Sequence, residues 1–107
     1  MRELAVLTIA AALAAPAAAA TTKTVKVGDD YFVRSGAKPT VKVRTGDIVK
    51  WVWKGDSLHN VWATKGPAKF HSRTKAKGSY SKKIKLAGSY SIVCTIHPGM
   101  EMTLKAS

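Results

Sequence analysis

The sequence predicts an all-β sandwich or barrel. Short stretches alternate apolar residues with cations at a period of two, and Gly, Pro and Asp turns interrupt the chain every few residues. After residue 20 no convincing apolar period of 3.6 occurs, so helices have little to build on.

The first element is not part of that body. Met1-Arg2-Glu3 precedes the uncharged apolar stretch Leu4 to Leu13, then Pro16 and a run of alanines. This is the order of a secretory signal, and Ala18 and Ala20 fit the small-residue cleavage rule, which predicts a cut after Ala20. The apolar stretch is too short to span a bilayer easily, which disfavours the alternative of a retained anchor. A signal over 1–20 and one domain over 21–107 are therefore expected, with a periplasmic or extracellular destination.

Val25 and Val27 alternate with Lys26, and Val41 and Val43 alternate with Lys42 and Arg44, as in half-buried strands. Thr45-Gly46-Asp47 supplies a turn, and Ile48 to Trp53 is rich in the β-branched and aromatic residues that strands favour. Lys54-Gly55-Asp56-Ser57 breaks the chain. Leu58 to Ala63 reads as a short strand, Thr64 to Lys69 as a loop around Gly66-Pro67, and Ser79 to Leu86 as a further strand before the turn at Ala87-Gly88. Tyr90, Ile92 and Cys94 share one face, and Met102 to Ala106 is a last strand closing the sheet.

The chain has 107 residues, 46% of them apolar and 22% charged, as in a globular protein rather than a disordered tail. Without the signal, about 87 residues remain for the body, enough for one small domain. A large multidomain enzyme is excluded. Eighteen Lys and Arg against six Asp and Glu give a net charge of +12, and the signal region carries one of each sign, so the body keeps the whole excess. Between Ser57 and Met100 there is no acidic residue, but there are eight cations: Lys65, Lys69, Arg73, Lys75, Lys77, Lys82, Lys83 and Lys85. A field of one sign steers acidic partners, so an acidic redox protein or an anionic envelope surface is the expected docking target.

Cys94 is the single cysteine and cannot form an internal disulfide, which in an exported protein points to a thiol with a task. Cys94, His97, Met100 and Met102 fall within nine residues, and His59 stands far upstream. Two imidazoles, one thiolate and a weak thioether form the donor set that suits copper in both of its oxidation states; zinc has no use for the methionine. His71 falls outside the pattern and reads as an exposed side chain. Trp51 reads as core, and Trp53 and Trp62 flank the His59 segment.

At these residues the chain resembles the blue copper proteins, the cupredoxins, and within them the plastocyanin, amicyanin and pseudoazurin group. The resemblance runs through Thr45 to Trp51, His59-Asn60-Val61, Phe70 to Gly78, Ala87 to Tyr90 and Cys94 to Met100. It implies a Greek-key sandwich of about seven to eight strands. It also implies one type 1 copper held by His59, Cys94, His97 and a methionine. Amicyanin-like loops place that methionine three residues after the second histidine, which selects Met100, and plastocyanin-like loops place it five after, which selects Met102. Met100 is favoured because it leaves Met102 in line with Leu104 and Ala106 on a buried face, while the methionine in the family's glycine slot keeps Met102 a competitor. The same resemblance gives Asn60 the role of bracing the ligand loops, with Thr95 as its partner.

The expected function is single-electron transfer by a monomeric, exported, non-enzymatic copper protein. Copper delivery or storage uses the same soft residues and is the alternative. A basic barrel binding nucleic acid accounts for the charge but not for the Cys94, His97 and Met100 spacing, so nucleic acid is not an expected partner.

Overall fold

The computed structural model describes residues 19–107 and consists of strands and loops. Eight strands are formed: β1 (Thr22–Gly28), β2 (Tyr31–Phe32), β3 (Thr40–Val43), β4 (Ile48–Trp53), β5 (Trp62–Lys65), β6 (Ser79–Lys83), β7 (Gly88–Val93) and β8 (Glu101–Ala106). They make two four-stranded sheets, ordered β2-β1-β4-β6 and β3-β8-β7-β5. The chain changes sheet at each step from β2 to β7, so each sheet is assembled from segments distant in sequence. The expected all-β sandwich of seven to eight strands thus stands at eight. All but the last two residues of the expected signal lie outside the described residues.

The two-residue period decides which side chains meet between the sheets. In β4, Val49, Trp51 and Trp53 are buried while Lys50 points to solvent. In β8, Met102, Leu104 and Ala106 face inward, the register expected of them. Val25 and Val27 of β1 and Tyr90 and Ile92 of β7 complete one continuous core with Phe32, Val61, Phe70 and Ile84. Trp51 is fully buried in it, as its place on a strand implied. β1 runs parallel to β4 and β3 parallel to β8; the remaining pairs are antiparallel.

Two strands depart from their expected limits. The segment from Leu58 to Ala63 is not a strand along its length: Leu58 is exposed, His59 makes only an isolated bridge to Lys75, and β5 begins at Trp62 and extends to Lys65. The backbone at His59 pairs with Lys75 in both directions, at 2.9 and 3.0 Å, instead of with β7. β6 stops at Lys83 rather than Leu86 because Ile84 turns its amide to Asp47 and its carbonyl to Gly46. That exchange clamps the 45–47 turn to the end of the sheet.

Candidate metal centre

Cys94 follows directly on β7, and its amide donates to the Met100 carbonyl at 3.0 Å. Pairing in the β7–β8 ladder sets Ile92 opposite Met102 and Val93 opposite Glu101, so this bond continues the ladder and sets Met100 opposite Cys94. Between them the chain makes a tight excursion in which His97 N–H donates to Cys94 O at 3.4 Å and Met100 N–H to His97 O at 3.1 Å. Pro98 and Gly99 occupy the centre of the second turn. Gly99 has φ +87°, the pairing with proline that a type II turn requires. The loop therefore has a fixed shape.

The His59 segment is held as firmly. His59 is fully buried, and its carbonyl accepts a hydrogen bond from Trp53 Nε1 at 3.2 Å. Asn60 is buried as well. Its Nδ2 donates to Thr95 Oγ1 at 2.8 Å and Thr74 Oγ1 at 3.0 Å, and its Oδ1 accepts from the Thr95 amide at 2.9 Å. This is the brace expected of Asn60 and Thr95, with Thr74 as an added partner. Ser72, also buried, accepts from the Val61 amide at 2.9 Å. Trp53 thus touches the His59 backbone, whereas Trp62 stacks on exposed His71 with centroids 4.0 Å apart, outside the cluster.

These supports bring three donor atoms together. Cys94 Sγ lies 3.5 Å from His97 Nδ1 and 4.0 Å from His59 Nδ1, and the two Nδ1 atoms are 3.2 Å apart. Donors bound about 2.0–2.3 Å from one ion, as in nitrogen and sulfur sites generally, stand about 3.5–4 Å apart when three share a plane with it. The two sulfur–nitrogen distances match that spacing and the nitrogen–nitrogen distance of 3.2 Å is tighter, and two ring nitrogens facing a sulfur at this range need a cation or proton between them. Cys94 and His59 are buried, while the His97 side chain keeps 28% of its surface exposed, making it the cluster's outlet to solvent. Met100 and Met102 are both buried, Met100 in the loop and Met102 on β8.

The outward nitrogens meet carboxylates that the sequence reading did not single out. His59 Nε2 is 2.9 Å from Asp29 Oδ1, and His97 Nε2 is 3.3 Å from Asp30 Oδ1. The Asp56 amide above all, then His59 and the Ser57 amide, hold the Asp29 carboxyl well below the usual carboxylate range. In sequence, Gly28-Asp29-Asp30 looks like an ordinary turn; the available signal was that so few acidic residues occur in a chain this basic.

The comparisons with known proteins agree with this geometry. The family of copper binding proteins that contains plastocyanin and azurin matches residues 22–106. The chain is 37% identical over 97 residues to plastocyanin of Prochlorothrix hollandica, which covers 83% of this chain and 73% of that protein. Among solved structures, the Cu(I) form of a methionine-to-alanine variant of amicyanin superposes with a TM-score of 0.68 at 26% identity, over 80% of this chain and 82% of that one. The reduced Cu(I) form at pH 4 of a proline-to-glycine variant of amicyanin gives the same TM-score of 0.68 over 90% and 89% of the two chains, and at 24% identity it speaks for the fold alone. Sandwich, donor cluster and family match coincide, and the chain belongs to the plastocyanin/azurin family of copper-binding proteins, with copper as its cofactor.

Proposed function

We propose that this protein is an exported, monomeric single-electron carrier whose copper is held by His59 Nδ1, Cys94 Sγ, His97 Nδ1 and, as the weak axial donor, Met100. The convergence of two imidazole nitrogens and one sulfur within 4.8 Å, on two loops that brace each other, is the observation that carries this reading. Copper, when bound, supplies a one-electron couple between Cu(II) and Cu(I). The chain's part is to keep the donors still. Loops tied through Asn60, Thr95 and Thr74 resist the rearrangement that each oxidation state would otherwise prefer, and a soft thiolate beside imidazoles suits both states.

The ladder position of Met100 opposite Cys94 supports it over Met102, which pairs with Ile92 two rungs deeper in the sandwich. Directly opposed residues of an antiparallel pair are separated by about 4.5–5.5 Å, within reach of a thioether, and the diagonal neighbours by about 7–8 Å. With four protein donors no position is left for a substrate, in contrast to catalytic metal sites, so the protein is not an enzyme. Burial of His59 and Cys94 also favours retained copper over delivery or storage, which need exchangeable donors.

Partly exposed His97 is the port for the electron, with exposed Ile96 beside it in sequence. The cations of the β5–β6 region draw in acidic redox proteins or an anionic envelope surface. Export to a periplasmic or extracellular space rests on the signal-like order of residues 1–20. The Thr21 amide donates to Asp47 Oδ1 at 3.0 Å, and cleavage after Ala20 would turn this bond into an ammonium–carboxylate pair. Voltammetry of the copper-loaded protein tests the electron-carrier reading: reversible cycling with the metal retained supports it, and loss of copper on reduction favours delivery.

A further inference from the structure

The outer nitrogens of both histidines are met by neighbouring residues of a single turn. Gly28 pairs with Tyr31 across β1 and β2, leaving Asp29 and Asp30 as the two-residue connection, and Asp30 takes φ +71°, a left-handed value that aspartate tolerates better than most residues. Asp29 is anchored there from several directions. It accepts the Asp56 amide at 3.0 Å and the Ser57 amide at 2.9 Å, besides facing His59 Nε2 at 2.9 Å. The 54–57 loop is packed on it so closely that a Cβ at Gly55 would collide with the Asp29 carboxylate and with its backbone nitrogen.

We propose that Asp29 and Asp30 are positioning residues that hold both imidazoles as Nε2–H donors with Nδ1 turned onto Cys94, and that their charge favours the oxidised over the reduced metal. The inference rests on the reading of His59 and His97 as copper ligands. A carboxylate accepting from the far nitrogen of a ligating imidazole fixes its tautomer and raises its basicity as a donor. More basic donors stabilise the higher charge of Cu(II). Asp29 has the larger effect, because it meets a fully buried ring and is held by two amides; Asp30 is 67% exposed and its charge is screened by solvent.

The test uses Asp29→Asn, Asp30→Asn and, as a control, Asp56→Asn, which removes a nearby charge that contacts neither histidine while keeping the backbone amide that binds Asp29. Asparagine retains an oxygen for the Asp56 and Ser57 amides, which protects the fold. In the metal-free protein, imidazole nitrogen NMR is expected to find His59 as a single Nε2–H tautomer, and Asp29→Asn to mix the tautomers. In the copper protein, Asp29→Asn is expected to weaken Cu(II) binding about 10- to 100-fold and to raise the reduction potential. Asp30→Asn should shift both in the same direction by less, and Asp56→Asn should match wild type. Equal effects of Asp29→Asn and Asp56→Asn on potential and affinity, with the His59 tautomer unchanged, overturn the inference. A wild-type protein lacking a thiolate-to-copper band overturns the site reading instead, and the metal-free NMR comparison still decides the role of the carboxylates.

Discussion

Asn60 grips Thr95 from both ends of its carboxamide: Nδ2 donates to the Thr95 hydroxyl at 2.8 Å and Oδ1 accepts the Thr95 amide at 2.9 Å. The two residues follow His59 and Cys94 by one position each, so this pair of bonds locks together the two loops that bear the donor atoms. The metal centre therefore owes its rigidity to a side chain that supplies no donor atom of its own.

Replacing Asn60 by alanine leaves the Thr95 amide and hydroxyl without these partners. A loss of about 1–3 kcal/mol is expected, the usual cost of an unsatisfied buried polar group. Urea unfolding of the metal-free protein measures it, and the copper form should show a broadened or shifted visible spectrum. A variant as stable as wild type with an unchanged spectrum would remove Asn60 from this role.

Met100→Leu and Met102→Leu separate the two axial candidates. Loss of the true donor should raise the reduction potential and change the visible and paramagnetic resonance spectra. The swap at Met102 exchanges one buried apolar side chain for another of similar volume, so a cost under about 1.5 kcal/mol and an unchanged spectrum are expected. The reverse result would assign Met102.

Asp47 sets an acid limit on stability. It is buried, and amide donors from Thr21 first and Arg44 second hold its carboxyl below the ordinary range. A depressed folded pKa contributes stability that is present above the unfolded value of about 3.9 and is lost as the pH falls through the folded value. Asp47→Asn should be less stable than wild type near neutral pH, with the gap narrowing in acid. Urea midpoints across that range check it; parallel curves would contradict it.

The cations on β5 and β6 and on the segments that follow each strand predict a salt-dependent encounter. Lys65, Lys69, Lys83 and Lys85 are exposed, and the screening length shrinks from about 30 Å at 0.01 M salt to about 8 Å at physiological strength. Electron transfer with an acidic redox protein should slow steeply with added salt, and Lys83→Glu with Lys85→Glu should slow it at low salt. Stopped-flow rates indifferent to both changes would exclude this docking face.

Much of this was legible because strands declare themselves by a period of two or by their residue types: Val25 and Val27, and Tyr90, Ile92 and Cys94, are buried as their alternation implied, and Trp51 is buried in a strand that its β-branched and aromatic content announced. The donor loop was legible because a thiol, an imidazole and thioethers rarely crowd into so few residues without a metal. β2 was not, since two residues carry no period. The limits of β5 were misplaced because Leu58, Val61 and Trp62 give the segment a strand-like apolar content, while the hydrogen bonds of His59, Asn60 and Val61 go to Lys75, Thr95 and Ser72. Asp29 and Asp30 were missed because their value depends on a β1–β2 turn meeting two loops from elsewhere in the chain, a juxtaposition that no local pattern encodes.

The most direct test adds Cu(II) to the purified metal-free protein and to Cys94→Ser, and records their visible and paramagnetic resonance spectra. One equivalent of copper should give the wild type an intense thiolate-to-copper band that the variant lacks. If the wild type binds copper with only the weak spectrum of imidazole and oxygen donors, indistinguishable from Cys94→Ser, then Cys94 is not a ligand and the electron-carrier account is wrong.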